Sequence, residues 1–126
     1  MNRIANSGTT VRMVRKRPLD SVIEGRSPAM MKLDVEGYEE EVMAGAGKTL
    51  ENPALKMIVM ETVTPSIRAQ LTRNGFVEAS YEPFSREQRR GPRTSGIANV
   101  LFIRDWEFVT QRLETARPVH VIGHTI

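Results

Sequence analysis

The sequence contains no cysteine. It therefore has no disulfide framework, no thiolate ligand for a metal ion and no cysteine nucleophile. It also has no apolar run long enough to span a bilayer. The polar residues that follow Met1 lack the apolar core of a signal peptide. These absences predict a cytoplasmic protein.

Aromatic side chains are few, at 6% of the chain, although the chain is basic, with a net charge of +3. Its cations gather in two groups, at residues 12–17 and 86–93, on either side of an acidic run at residues 36–41. A basic face that binds nucleic acid normally carries interleaved aromatic side chains. The sequence therefore predicts neither a nucleic-acid partner nor a membrane partner.

The 126 residues are enough for one domain with a buried core. Apolar runs bounded by turn signals predict strands, and apolar residues at helical spacing predict helices. We divide the domain into an N-terminal arm with a short strand (1–17), a core (18–116) and a tail (117–126). The core's predicted strands are residues 29–35, 56–62, 76–81 and 97–104, and its main predicted helices are residues 38–50, 65–74 and 106–116. This alternation is typical of an α/β fold with a mostly parallel sheet and flanking helices.

Local signals fix several element ends. Thr64 before Pro65 predicts a helix start, Gly75 predicts its end, and Asp105 is the expected cap of the last helix. The polar, basic and Gly/Pro-rich residues 82–96 predict a loop. One buried face is expected along the helix at residues 38–50, formed by Tyr38, Val42, Ala46 and Leu50.

Carboxylates follow two of the predicted strands. Asp34 and Glu36 come after the first, and Glu61 ends the second. In parallel sheets, ligands bind beyond the carboxyl ends of the strands. Carboxylates at this edge can hydrogen-bond an amine or hydroxyl group, or act as bases. The alternatives are that Asp34 or Glu36 only caps the following helix and that Glu61 only orders its turn.

The predicted loop carries Arg86, Arg89, Arg90 and Arg93. Because it follows a third parallel strand, we expect it to overhang the same edge. Its guanidinium groups suit a phosphate, a carboxylate or an acidic sugar, although a merely solvated loop is the simpler interpretation. His120 and His124 have the spacing of a metal pair, but without other ligands in the tail they predict no metal site.

Several stretches resemble the FkbM-like family of S-adenosylmethionine-dependent methyltransferases. They are PLDSVI at residues 18–23, MKLDVEGYEEEVMAGAGKTLENP at 31–53, IVMET at 58–62, LTRNGF at 71–76 and NVLFIR at 99–104. The resemblance implies a Rossmann-like fold, S-adenosylmethionine as cofactor and O-methylation, often of sugar hydroxyls. It also implies catalytic roles for Asp34 and Glu36 and cofactor contacts for Asp34 and Glu61.

The family's glycine-rich cofactor turn and ribose carboxylate have no counterpart here, since Gly8 and Gly25 stand alone. We therefore expect the C-terminal half of such a domain, without the cofactor-binding strands and inactive alone. Whether the chain is an enzyme stays open between two hypotheses. It is either a methyltransferase completed by another chain, or a non-catalytic remnant or binding module. An unpaired strand at 29–35 further predicts a homo-oligomer, most simply a dimer, through that strand or the helix at 38–50.

Overall fold

The computed structural model describes residues 2–4, 12–92 and 99–125. In chain order its elements are β1 (Asn2–Ile4), β2 (Arg12–Val14), α1 (Leu19–Val22), β3 (Met30–Leu33), α2 (Glu39–Ala44), α3 (Gly47–Glu51), β4 (Met57–Met60), α4 (Pro65–Arg73), β5 (Val77–Glu82), β6 (Glu87–Arg90), β7 (Val100–Ile103), α5 (Trp106–Thr115), β8 (His120–Val121) and β9 (His124–Thr125). The arm and the tail each form a two-stranded antiparallel ribbon, β1–β2 and β8–β9. The α/β prediction is confirmed.

A five-stranded sheet in the order β3-β4-β7-β5-β6 forms the centre of the fold. Of the neighbouring strands in this sheet, only β3 and β4 pair in parallel; β7 is antiparallel to both β4 and β5, and β6 is antiparallel to β5. The sheet is thus mixed, and the prediction of a mostly parallel sheet is wrong. The apolar run of β7 was misleading because this strand lies between two others, with Phe102 and Ile103 both buried, as in a parallel strand.

The predicted loop at residues 82–96 is in part a β-hairpin. Tyr81 of β5 pairs with Gln88 of β6 across a turn at residues 83–86. The strand was missed because β6 is an edge strand and carries the polar and charged residues that edges favour. Residues 93–96 lie outside the described residues.

The two predicted helix starts are confirmed. The Thr64 hydroxyl accepts the Ile67 N–H at 3.2 Å, and the Asp105 carboxylate accepts the Phe108 N–H at 3.0 Å. Gly75, just after α4, has φ +81°, which glycine adopts without strain. These signals act over three residues or fewer, so the sequence alone reveals them.

The single helix predicted at residues 38–50 is two helices, α2 and α3. They separate at Gly45, where a Cβ atom would lie 3.1 Å from the Pro18 Cα. The backbone at the start of α1 therefore packs directly on this glycine. The Asp20 N–H also donates to the Gly45 carbonyl at 2.9 Å. Ala46 is fully buried as expected, but Tyr38 is 40% exposed and leaves the predicted face.

Asp20 caps α3 from another element. Its Oδ2 accepts the Lys48 N–H at 2.9 Å, and its Oδ1 accepts the Thr49 N–H at 2.9 Å and the Thr49 hydroxyl at 2.6 Å. Burial raises the pKa of the Asp20 carboxyl, but these hydrogen bonds outweigh it, so the pKa is lowered overall. Asp20 thereby joins α1 to α3.

The core lies on both faces of the sheet. The larger cluster includes Leu33, Met43, Leu50, Ile58 and Phe76. A smaller cluster on the opposite side packs α5 against the sheet through Val109, Ile103 and Ala79. In the part of the chain that the structure describes, no helix is both long and apolar enough to cross a membrane.

Arg104 joins several elements behind the end of β7. Its guanidinium group donates to the carbonyls of Leu50 at 2.7 Å, Leu55 at 2.6 Å and Asn74 at 3.3 Å, and also to that of Asn52. It lies 4.5 Å from the centre of the Phe76 ring. Arg104 therefore ties the ends of α3 and α4 to the sheet.

Replacing Gly45 with Ala tests the close approach of α1. The new Cβ would meet backbone atoms, so we expect the free energy of unfolding to fall by about 1–3 kcal/mol. Gly47→Ala is the matched control, since its Cβ would meet only the Asp20 carboxylate at 3.9 Å. Alanine there should be neutral or stabilise by up to about 1 kcal/mol. Urea denaturation measures both, and equal effects would contradict this account of the helix break.

Replacing Asp20 with Asn removes the charged cap of α3 and should cost about 1 kcal/mol at neutral pH. The folded-state pKa of Asp20 lies below the unfolded value of about 3.9. Its ionised form therefore stabilises the fold above that pH, and the contribution is lost as the pH falls through the folded pKa. Urea denaturation from pH 7 to 2 should show the difference between the two proteins closing below about pH 4. A difference that persists at pH 2 would refute this role.

Candidate functional site

The carboxyl ends of β3, β4 and β5 lie at one edge of the sheet, which we call the carboxyl edge. β4 and β5 are both antiparallel to β7, so they run in the same direction as β3. Leu33 is in register with Met60. Asp34 and Glu61, each the next residue, therefore leave the sheet from neighbouring positions.

Asp34 and Glu36 are both exposed at this edge. The Lys32 ammonium lies 3.4 Å from the Asp34 carboxylate, and both side chains are 54% exposed. Glu36 has φ +44°, in the left-handed region. Neither residue caps α2. Instead, the buried Glu39 carboxylate accepts the Gly37 N–H at 3.0 Å, so the capping alternative is wrong and both predicted carboxylates face solvent.

The Glu61 side chain is exposed and makes no hydrogen bond or ion pair with any residue that the structure describes. The turn that follows is ordered by Thr64, which caps α4 and donates its hydroxyl proton to the Glu40 carboxylate. This bond links the loop after β4 to α2. The alternative in which Glu61 orders its turn is therefore wrong, and its carboxylate is available to a ligand.

Arg86 occupies the turn of the β5–β6 hairpin, at the carboxyl edge. Its guanidinium group donates to the carbonyls of Leu113 at 3.1 Å, Ala116 at 2.8 Å and Arg117 at 3.1 Å. These are carbonyls at the end of α5, which have no partner within the helix. The structure thus uses Arg86 to hold the hairpin to α5.

The other predicted arginines do not gather at the carboxyl edge. Because β6 is antiparallel to β5, it carries Arg89 and Arg90 away from that edge. Arg89 pairs with Glu87 at 2.8 Å, and Arg90 lies 4.6 Å from the centre of the Trp106 ring. Arg93 lies outside the described residues. Of the described arginines, Arg86 and Arg89 line one cleft between β6 and α5, and they do not gather with Arg90 at the carboxyl edge.

A cleft of about 830 Å³ separates β6 from α5. Arg89, Trp106 and Thr110 are among its lining residues. Two buried atoms here, Gln88 Oε1 and Trp106 Nε1, have no hydrogen-bond partner among the described residues. No pattern in the sequence indicates this cleft, because the spacing of Trp106 predicts only the start of the buried stripe of α5.

The described residues contain no cluster of His, Asp and Glu side chains suited to a metal ion. The His120 Nδ1 atom lies 2.8 Å from the Thr125 hydroxyl. The His124 side chain lies outside the described residues.

A comparison with protein-family models matches the methyltransferase FkbM domain over residues 4–106. The chain belongs to this family. The match includes all the stretches that carried the resemblance and extends into the arm. Comparisons with curated proteins and with solved structures found no match.

The FkbM domain implies S-adenosylmethionine, and the carboxyl edge fits part of that molecule. Asp34 and Glu61 offer acceptors for its hydroxyl and ammonium groups. Within residues 12–92 and 99–125, the turn from β3 to α2 is the one strand-to-helix turn at this edge with a positive-φ glycine, Gly37. That turn leads into three glutamates in the first turn of α2, which would repel the cofactor's carboxylate. The fit is therefore partial.

Replacing Arg86 and replacing Arg89 should lower the free energy of unfolding by different amounts. We expect Arg86→Ala to lower the free energy of unfolding by about 1–3 kcal/mol, since it releases three carbonyls. Arg89→Ala is the control, because its ion pair is exposed and should contribute less than about 1 kcal/mol. Thermal melting followed by circular dichroism compares them. A larger loss in Arg89→Ala would contradict the role given to Arg86.

Proposed function

We propose that this FkbM domain takes part in S-adenosylmethionine-dependent O-methyl transfer at its carboxyl edge. The observation that carries the proposal is the register of β3 and β4, which sets Asp34 beside Glu61. Both carboxylates are exposed, and the chain belongs to a methyltransferase family. In α/β sheets this edge is where ligands bind.

The bound cofactor would supply an electrophilic methyl group, keep the electron pair of the broken S–CH3 bond and leave as S-adenosylhomocysteine. The acceptor hydroxyl must lose its proton as the new bond to carbon forms, and a carboxylate within hydrogen-bond reach can accept it. We assign this role to Asp34 and Glu36, which flank the turn after β3. We assign Glu61, together with Asp34, to hydrogen bonds with the cofactor's hydroxyl or ammonium groups.

For the acceptor we propose an anionic molecule or a sugar hydroxyl. Arg89 is highly exposed, with 77% of its side chain accessible, and it lines the cleft between β6 and α5. Because β6 lies four strands from β3 in the sheet order, this guanidinium group would hold a carboxylate or phosphate at the far end of an extended acceptor, away from the reacting hydroxyl at the carboxyl edge. Arg90 packs on the ring of Trp106, which lines the same cleft. Arg86 is assigned to the hairpin and not to the acceptor.

We further propose that these 126 residues bind the cofactor weakly by themselves. Cofactor sites of this class use backbone N–H groups of a glycine-rich turn and a ribose-binding carboxylate. The sequence contains no such glycine-rich turn between a strand and a helix, so the rest of the site would come from other residues or another chain. We place the protein in the cytoplasm, as its lack of cysteine suggests.

The second candidate function is a non-catalytic binding or oligomerisation module. It is favoured by β3, which is the last strand of the sheet and has a free outer edge among the described residues. In this case the carboxyl edge would remain as a family feature without a reaction.

Titration with S-adenosylhomocysteine, followed by NMR of the backbone amides, tests the proposed site. We expect a dissociation constant weaker than about 100 μM, with shifts concentrated at residues 33–37 and 60–64. Glu61→Gln should reduce the affinity several-fold, since it removes a charged acceptor. Glu51→Gln, a charge change at the end of α3, is the matched control and should have no effect.

Two results would contradict the proposal. Shifts confined to other parts of the chain would remove the carboxyl edge from cofactor binding. Affinity on the order of 1 μM or better, measured by calorimetry, would show that the chain holds a complete site.

A further inference from the structure

Among the described residues, the outer edge of β3 is open. β3 pairs with β4 on one side only, and no strand in the described part of the chain pairs with its other side. Met30 on this strand is 51% exposed. An open edge presents unpaired backbone N–H and C=O groups, and these favour pairing with another strand.

The backbone groups at this edge can be assigned to particular residues. The Ala29 carbonyl accepts N–H groups of Lys56 and Met57, at 2.7 and 3.3 Å, so Ala29 faces β4. Successive residues of a strand direct these groups to opposite sides. Met30, Lys32 and Asp34 therefore direct theirs outward. An antiparallel partner must align its own outward residues with them.

The side chains of the same three residues lie on the exposed face of the strand, whereas Leu33 is buried in the core. The outward edge is thus charged as well as open, with Lys32 and Asp34 two residues apart. This spacing makes the edge self-complementary in an antiparallel arrangement. We favour this edge over the other predicted interface, the helix at residues 38–50, because Ala46 and Leu50 of that helix are fully buried in the chain's own core.

We propose that two copies of this chain pair antiparallel through β3, about a two-fold axis at Leu33. In this register Lys32 of each copy lies opposite Asp34 of the other, and both residues direct their backbone groups to the partner. A two-fold axis at Lys32 would set like charges opposite each other, which is destabilising. An axis at Met31 would set Asp34 opposite Pro28, which has no N–H to donate.

The pairing would join two five-stranded sheets into one. It would also place a cation of the partner copy beside each Asp34, at the carboxyl edge. The dimer would then supply part of the charge environment of the candidate site. The inference does not depend on the proposed function, because it rests on the strand order, the backbone directions and the charges alone.

Sedimentation equilibrium of charge variants tests both the dimer and its register. The unchanged chain should sediment at twice its mass of 14.2 kDa at micromolar concentration. Lys32→Glu and Asp34→Lys should each weaken the dimer about tenfold or more, because each creates two like-charge pairs. Arg73→Glu makes the same charge change as Lys32→Glu on α4, away from the edge, and should leave the dimer intact.

Mixing the two charge variants tests the register most directly. Lys32→Glu and Asp34→Lys chains, combined in equal amounts, should form a heterodimer, because every facing pair is then of opposite charge. The double variant carrying both changes should recover the dimer for the same reason. Even a weak dimer would form at about 100 μM. If the unchanged chain is still a monomer at that concentration, the proposal is overturned. It would also be overturned by charge variants that behave like Arg73→Glu, or by single variants that fail to pair on mixing although circular dichroism shows them folded.

Discussion

The partly buried guanidinium group of Arg104 is the constraint on which the arrangement of the helices depends. Burial lowers the pKa of Arg104, and a charge in this position needs hydrogen-bond partners. Backbone carbonyls from α3, from the loop before β4 and from the end of α4 supply them. These segments are separated in sequence and converge on one side chain. The start of β4, and hence the position at which Glu61 leaves the sheet, is set by the same contacts.

The parts of the fold that the sequence predicted are those with local causes. The caps at Thr64 and Asp105 need only a hydroxyl or carboxylate three residues before an N–H group. The contacts of Asp20 and Arg104 join residues 28 to 54 positions apart, and no short pattern indicates them. The direction of β7 was also hidden, because burial on both faces gives the same apolar run in parallel and antiparallel strands.

The candidate site also has residues that the sequence predicts and residues that it does not. Asp34 and Glu61 were expected at one edge because parallel neighbours end together, and β3 and β4 are the parallel pair. The arginines were misplaced because the hairpin was not anticipated, and a returning strand carries its side chains away from the edge. Arg86 shows a second reason why its role could not be predicted. A guanidinium group that can bind an anionic ligand can equally well donate to the carbonyls at a helix end.

The hydrogen bonds from Arg86 to the end of α5 also indicate where the domain ends. The family match stops at residue 106, which is the first residue of α5. Yet α5 covers Ile103 and Ala79, and carbonyls as far as Arg117 receive the guanidinium of the hairpin turn. The packed unit therefore extends about one helix beyond the family match. A fragment that ended at residue 106 would expose one face of the sheet and leave the hairpin without its anchor.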